Sequence, residues 1–508
     1  MKNDLPSQDV SSKTGEKKLP SLIISIIPVI VLICLLFITI KVFKSDALSG
    51  ASQVCLLLST GVICAIAILG KYVNWKVIEN GIADKIRNIS TALLLLLLIG
   101  SLSGAWMVSG VVPTLIYYGV QILHPSYFLV ASCIICALVS LVTGSSWTTI
   151  ATIGVALLGI GQAEGFSEGL IAGTIISGAY FGDKISPLSD TTVLAASTTG
   201  TPLFTHIKNM LQTTVPTMLI TLIIFTVIGI FHEIPVDITS DVFSQGLLDS
   251  FNITPWLLIV PILTAVLIVY KVPALICLFL SVVMGIIAAL IFQPDIIREI
   301  SNVSNYGGNL SANFDLFKGS LISVFGATSI NTGVAALNEL VSTNGMAGML
   351  NTVWLIICAM CFGGAITASG MLESIMRGVL KIAKNRFSLI GSTVISGLLL
   401  NICTADQYIS IVLSGSMYGD EYKRRGYKSQ LLSRTIEDSV TVTSPLIPWN
   451  TCGMTQASIL GVATLTYLPF SFFCYLSPIT TLIIGGLGLS WGHKKKTNNK
   501  QKIKSIDK

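Results

Sequence analysis

Between two long apolar runs the chain inserts GDKISPLSDTTVLA, Gly182 to Ala195. This stretch sets Asp183, Lys184 and Asp190 among hydroxyls, a proline and a glycine. An ordinary membrane helix does not carry such a segment, and it is too polar for a soluble core. Backbone that leaves the helix at membrane depth survives only where protein buries it or where it lines a watery cavity. Ionisable groups there are functional candidates by default. The fold must therefore shelter this insert.

The setting is a membrane. Of 508 residues, 52% are hydrophobic and 11% charged, and the mean hydropathy is +0.79. Soluble domains carry about a quarter charged residues. Clear apolar runs cover 20–41, 48–70, 91–118, 207–231, 256–270, 272–292, 350–369 and 463–491. Each crossing needs roughly 20 such residues. The first run lacks a small-residue cleavage site after it and reads as a retained helix. Basic flanks mark the cytoplasmic side. They are Lys13, Lys17 and Lys18 before the first run, and Lys494, Lys495, Lys496, Lys500, Lys502, Lys504 and Lys508 at the end. Solvated tails explain this charge, and no nucleic-acid partner is expected. Cys133/Cys136 and Cys358/Cys361 have CxxC spacing but lie within apolar runs, where packing is expected.

Four less regular regions lie between the runs. Region 128–163 is broken at Thr143-Gly144-Ser145-Ser146, and 169–200 at the opening motif. Region 387–415 is broken at Asn401-Ile402-Cys403-Thr404-Ala405-Asp406. Region 430–462 is broken at Glu437-Asp438 and at Ser444-Pro445 to Asn450. A shift of 260 residues lays the first half on the second: Ser109-Gly110 falls on Ser369-Gly370, and Gly144-Ser145-Ser146 on Thr404-Ala405-Asp406. With a small slip, Ser186-Pro187-Leu188 meets Ser444-Pro445-Leu446. Internal repeats with interrupted helices at matching positions point to a transporter's binding site.

Loop charge predicts that the repeats are inverted. Lys71, Lys76, Lys85 and Arg87 place one loop in the cytoplasm. Region 128–163 is flanked by His124, Glu164 and Glu168 without Lys or Arg, so both flanks read external. Region 387–415 is flanked by Arg377, Lys381, Lys384 and Arg386, then by Lys423, Arg424, Arg425 and Lys428, so both flanks read cytoplasmic. The two regions become re-entrant hairpins entering from opposite faces. Acidic loop 232–255 reads as an external linker, and 318–340 as interfacial. The expected fold is an all-α polytopic membrane protein of two inverted repeats. It has about ten transmembrane helices, two re-entrant hairpins and two broken helices. Its parts are a tail 1–19, repeats 20–231 and 256–491 around the linker, and a basic tail 492–508.

Hairpin tips and helix breaks present free carbonyls and N–H groups. With Ser, Thr and Asp oxygens they suit an alkali cation, while half-helix N-termini suit a carboxylate. The first half offers Asp183, Ser186, Ser189, Asp190, Thr191 and Thr192, with Ser145, Ser146 and Thr148 from its hairpin. The second offers Thr404, Asp406, Glu437, Asp438, Thr443, Ser444, Asn450 and Thr451, with Asn401 nearby. Any hydroxyl has the alternative of capping a helix end. The carboxylates have that of a buried ion pair, such as Lys184 with Asp183 or Asp190. His206 and Lys208 read as cytoplasmic surface residues, and Glu373 with Arg377 as a helix-surface pair. Tyr180 replaces the first glycine of an intramembrane-protease GxGD element. Four histidines form no HExxH site, and no Walker A sequence occurs. No enzyme activity and no cofactor are expected.

Gly182–Ala195 resembles the hallmark of the NhaC-type sodium/proton antiporter family. EDSVTVTSPLIPWNTCG (437–453), TADQYISIV (404–412) and GSSWTTIATIGVAL (144–157) are similar to its other motifs. The resemblance covers about residues 20–490. It implies a secondary antiporter of the bacterial cytoplasmic membrane that exchanges Na+ for H+, within the wider ion-transporter group of inverted repeats with hairpins. The family also includes malate/lactate antiporters and members assigned to amino acids, so a small carboxylate cargo stays open. So does a homodimer.

Overall fold

The computed structural model describes residues 19–43, 50–232, 240–270, 272–303, 312–333 and 335–488. Both basic tails, and Glu233 and Asp237 of the acidic linker, lie outside them. The described chain is helical, apart from an isolated bridge between Thr328 and Thr343. The first half contains α1 (Leu22–Phe43), α2 (Ala51–Leu69), α3 (Trp75–Asn88), α4 (Ser90–Val108), α5 (Val111–Ile122), α6 (Pro125–Thr143) and α7 (Ser146–Ala163). There follow α8 (Glu168–Ile185), α9 (Asp190–Thr198) and α10 (Leu203–Ile230). The second half contains α11 (Ile259–Val269), α12 (Ala274–Phe292), α13 (Ala312–Phe325), α14 (Leu350–Ala368), α15 (Met371–Leu380), α16 (Arg386–Thr404) and α17 (Gln407–Arg424). It closes with α18 (Ser429–Ile436), α19 (Thr451–Leu460) and α20 (Phe472–Gly486).

Among the described residues, nine helices are long and apolar enough to cross a membrane, or up to eleven if each bent pair is one span. This is an all-α polytopic membrane protein. Two runs that read as continuous are divided. Run 91–118 splits at Gly110, whose φ of 79° ends α4 and starts α5. Run 463–491 bends by 55° between Thr464–Phe470 and α20. Helix α13 has 14 residues, about 21 Å at 1.5 Å per residue, which falls short of a bilayer core of about 30 Å.

Element starts repeat along the chain. Ser90 of α4 and Leu350 of α14 lie 260 apart, as do the positive-φ residues Gly110 and Gly370. Thereafter the spacing is 261: Pro125 with Arg386, Ser146 with Gln407, Glu168 with Ser429, Asp190 with Thr451. Positive-φ positions keep the same step at Gly144/Ala405, Gly165/Gly426 and Gly200/Gly461. This corrects two expected pairings. Ser145, not Ser146, matches Asp406, and both cap the second arm of a hairpin. At the breaks Ser189 matches Asn450, again as N-caps. The motif-based slip arises because α8 runs on to Ile185, whereas α18 stops at Ile436 and passes into a π-turn, Glu437–Thr441.

Small residues hold the first hairpin against its broken helix. A Cβ on Gly178 would meet the Cys133 carbonyl at 2.2 Å, and one on Gly182 the Ala137 carbonyl at 2.2 Å. Without a hydrophobic drive between helices in lipid, such close backbone approach carries association. It fixes Asp183 beside the hairpin tip. The CxxC cysteines are free, and three of the four are buried.

Candidate functional site

Each hairpin tip docks on the break of its own half. In the first half, Gly144 turns the chain with φ 68°, and a Cβ there would sit 2.7 Å from the Leu188 carbonyl carbon. Ser186 Oγ donates to the Leu141 carbonyl at 2.8 Å. The Ser146 amide and hydroxyl donate to Asp183 Oδ2 at 3.0 and 2.7 Å. Ser145 Oγ accepts from the Thr148 amide at 3.2 Å. Thr192 Oγ1 donates to the Lys184 carbonyl at 2.8 Å, satisfying an acceptor freed by the break. Ser189 and Thr191 share a hydroxyl bond of 3.0 Å.

In the second half, Ala405 adopts φ 56° and Asp406 Oδ1 accepts from the Ile409 amide at 2.8 Å. Thr404 Oγ1 donates to the Asp406 carbonyl at 2.9 Å. The Thr451 amide donates to the Ala405 carbonyl at 2.8 Å, and Asn450 Nδ2 to the Asn401 carbonyl at 3.1 Å. Asn401 Nδ2 reaches the Val440 carbonyl at 2.7 Å and Thr443 Oγ1 at 3.2 Å. Ser444 Oγ donates to the Thr441 carbonyl at 2.7 Å. The predicted polar residues are therefore gathered as two tip-and-break clusters, one per half. Both hairpin N-termini are met by the protein's own side chains, through Asp183 in one half and Asp406 in the other.

The two halves meet through charge. Lys184 Nζ pairs with Asp438 Oδ1 and bonds Ser477 Oγ at 3.0 Å. Thr213 Oγ1 donates to Asp438 Oδ2 at 2.8 Å, and Arg434 Nε stands 4.0 Å from that oxygen. The buried ion pair that was the alternative for the carboxylates, for instance Lys184 with Asp183 or Asp190, is made by Lys184 with Asp438 of the other half. Glu437, next to it, differs. It is fully buried, and among the described residues neither carboxylate oxygen has a hydrogen-bond partner. The Asn401 Oδ1, Thr441 Oγ1, Thr455 Oγ1 and Gln456 Oε1 oxygens share that condition. Arg434 Nε and Nη2 of the same half are without a hydrogen-bond partner as well. Buried polar atoms are normally satisfied, and a carboxylate with two free oxygens can take up a cation or a proton.

Asp183 and Asp190 line a cavity of about 650 Å³, with Ser145, Thr148, Gln407 and Tyr408. Glu168 lines a second cavity of about 750 Å³. No Lys, Arg or His among the described residues lines either. Among the described residues no group of three or more His, Cys, Asp or Glu is placed to hold a metal ion. Oxygen ligation would rest on hydroxyls, amides and carbonyls with single carboxylates.

Two residues fall elsewhere than expected, and Lys208 lies at the surface as expected. His206 is buried, with Nδ1 on Ser433 Oγ at 2.7 Å. Lys85, read as one charge of a cytoplasmic loop, is 6% exposed with an unpartnered Nζ, and Asp406 is its electrostatic neighbour. A signal for it was present. Ile78, Ile82, Lys85 and Ile89 fall on one helical stripe, which places the lysine on the apolar face of α3. Glu373 and Arg377 do pair on the surface, at 2.6 Å.

Helices broken and bent back on themselves around buried carboxylates define a multi-pass membrane protein with buried polar clusters at its helix breaks. The Na+/H+ antiporter family matches residues 16–199 and 178–489. The chain belongs to that family. It is 35% identical over 454 residues to the Na(+)/H(+) antiporter NhaC of Alkalihalophilus pseudofirmus, covering 88% of this chain and 92% of that protein. It is 35% identical to NhaC of Bacillus subtilis, covering 81% and 87%. It is 36% identical to the malate-2H(+)/Na(+)-lactate antiporter of Bacillus subtilis, covering 85% and 88%.

Proposed function

We propose that this chain is a secondary antiporter, not an enzyme, that exchanges Na+ for H+ across the bacterial cytoplasmic membrane. One observation carries the reading: buried carboxylates stand at both helix breaks, and the cavity that reaches the first, lined by Asp183 and Asp190, has no basic side chain among its described lining residues. Sodium requires an ionised carboxylate and protonation releases it, so the two ions compete for one site. Glu437, with two unpartnered oxygens, Asp183, Asp190 and Asp406 are the groups assigned to this exchange. Asp438 is assigned to hold the halves together through Lys184. Ser186, Thr191, Ser444 and Asn450 hold the breaks open, as Ser145, Ser146, Asn401 and Thr404 hold the tips.

Loop charge supports cytoplasmic termini and inverted repeats over 20–231 and 256–491. One repeat then moves against the other to alternate access. The likeness to a malate/lactate antiporter favours a second reading, with a small carboxylate as cargo. Against it stand the hairpin N-termini, whose amides already bond protein side chains.

The test is flux in proteoliposomes. Sodium added without organic acid should collapse an imposed proton gradient in a saturable way. If collapse waits for malate or lactate, the carboxylate reading replaces this one.

A further inference from the structure

The two cavities lie end to end along the same pair of helices. On α4, Thr91, Leu95 and Ile99 line the cavity that holds Asp183 and Asp190. Further along α4, Ile99, Ser103 and Met107 line the cavity that holds Glu168. These positions recur every three or four residues, so they form one face of the helix. The second hairpin arm, α7, behaves alike. Trp147 and Thr148 face the first cavity, and Ala151, Val155 and Leu158 the second. Among the described residues Ile99 alone lines both cavities. It is 4% exposed and belongs to the hydrophobic core.

The α4 backbone next to Ile99 is tightly packed: a Cβ on Gly100 would meet the Gly345 carbonyl at 2.5 Å, and one on Gly104 the Ser323 carbonyl at 2.0 Å. On the cavity side, α7 changes from Trp147-lined to Val155-lined across a π-turn, Ile150–Gly154. A π-turn carries an extra residue in the helix and is a frequent mark of functional sites. An apolar constriction between two polar vestibules stops ions by excluding water.

We propose that Ile99, closing against the π-turn of α7, is the apolar gate at which the two vestibules of one cation pathway meet. The inference rests on the antiporter reading for the identity of the ion and on the cavity geometry for the gate. The vestibule of Asp183 and Asp190 then opens to one membrane face and that of Glu168 to the other. Movement of the π-turn past Ile99 transfers access from one to the other.

The test uses full-length protein with Cys34 and Cys277 replaced by serine, in vesicles of known orientation. Thr91→Cys and Ser103→Cys are labelled separately with an impermeant cationic thiol reagent. Labelling from opposite faces supports the gate; labelling from the same face, or of neither, overturns it. Ile99→Ala should raise passive sodium flux at least tenfold without matching proton movement, while Ile99→Val keeps exchange coupled. Ile99→Ala vesicles as tight as wild type would also overturn it. If the labelling is opposite-sided but wild-type vesicles exchange no sodium, the gate stands and the choice of ion falls. If wild-type vesicles exchange sodium for protons but the labelling is same-sided, the ion stands and the gate falls.

Discussion

Glu437 and Asp438 are neighbours in the chain and opposites in their bonding. Asp438 is met by Lys184, Thr213 and Ser477; Glu437 is met by no donor among the described residues. Glu437→Gln should lower sodium-dependent proton exchange at least tenfold while leaving the thermal unfolding of purified protein nearly unchanged. Asp438→Asn leaves Lys184 buried without its counter-charge, which costs about 3–5 kcal/mol. Its unfolding temperature should fall clearly, and Lys184→Met combined with Asp438→Leu should recover most of the loss. Glu164 offers a pH readout outside the spans. Burial pushes its carboxyl up to about 7, and its carbonyl meets His232 Nε2 at 3.2 Å. A raised carboxyl pKa means the native state holds its proton more tightly. Stability from this group is therefore complete below the ordinary carboxylate range and is lost as pH rises through about 7. Hydrogen-exchange protection at residues 160–168, taken relative to the intrinsic rise of exchange with pH, should fall over that window, and Glu164→Gln should remove that fall.

At the scale of elements, the hairpin tips are the sensitive joints. Gly144→Ala sets a Cβ 2.7 Å from Leu188 backbone at φ 68°. Left-handed strain of about 1–2 kcal/mol is joined there by a clash that displaces the tip from the break. Gly200→Ala has a like φ of 65° but open space around the Cβ, so it should cost the strain alone. Comparing unfolding and exchange in the two variants separates clash from strain: both destabilise, and only Gly144→Ala should abolish exchange. Much of this scale was legible in the sequence. Gly144-Ser145 and Ala405-Asp406 interrupt apolar runs with turn and capping residues, whose local chemistry dictates a reversal. The division of run 91–118 was not legible, because apolar residues on both sides of Gly110 hide a change of direction.

At the scale of the molecule, the halves are joined by a few buried polar contacts. They include Lys184 with Asp438, His206 with Ser433, and Gln456 Nε2 with Tyr180 OH at 3.3 Å. Lys85 adds a buried ammonium near Asp406. Lys85→Met removes a charge that attracts that carboxylate's ionised form, so sodium affinity at fixed pH should change severalfold. An unchanged apparent sodium affinity in flux assays would exclude Lys85 from the site.

The sequence alone determined where most helices run, where the polar breaks fall and which polar residues stand at them. These follow from hydropathy, from turn chemistry and from the need to satisfy backbone groups in lipid, all of which act over a few neighbouring residues. Only the tertiary structure decided that Asp438, 254 residues from Lys184, takes the lysine, that Glu437 is left unpartnered, and that Lys85 turns inward. Such choices depend on which side chains packing brings together. A buried charge takes the partner that packing presents to it, and no local pattern in the chain encodes that partner.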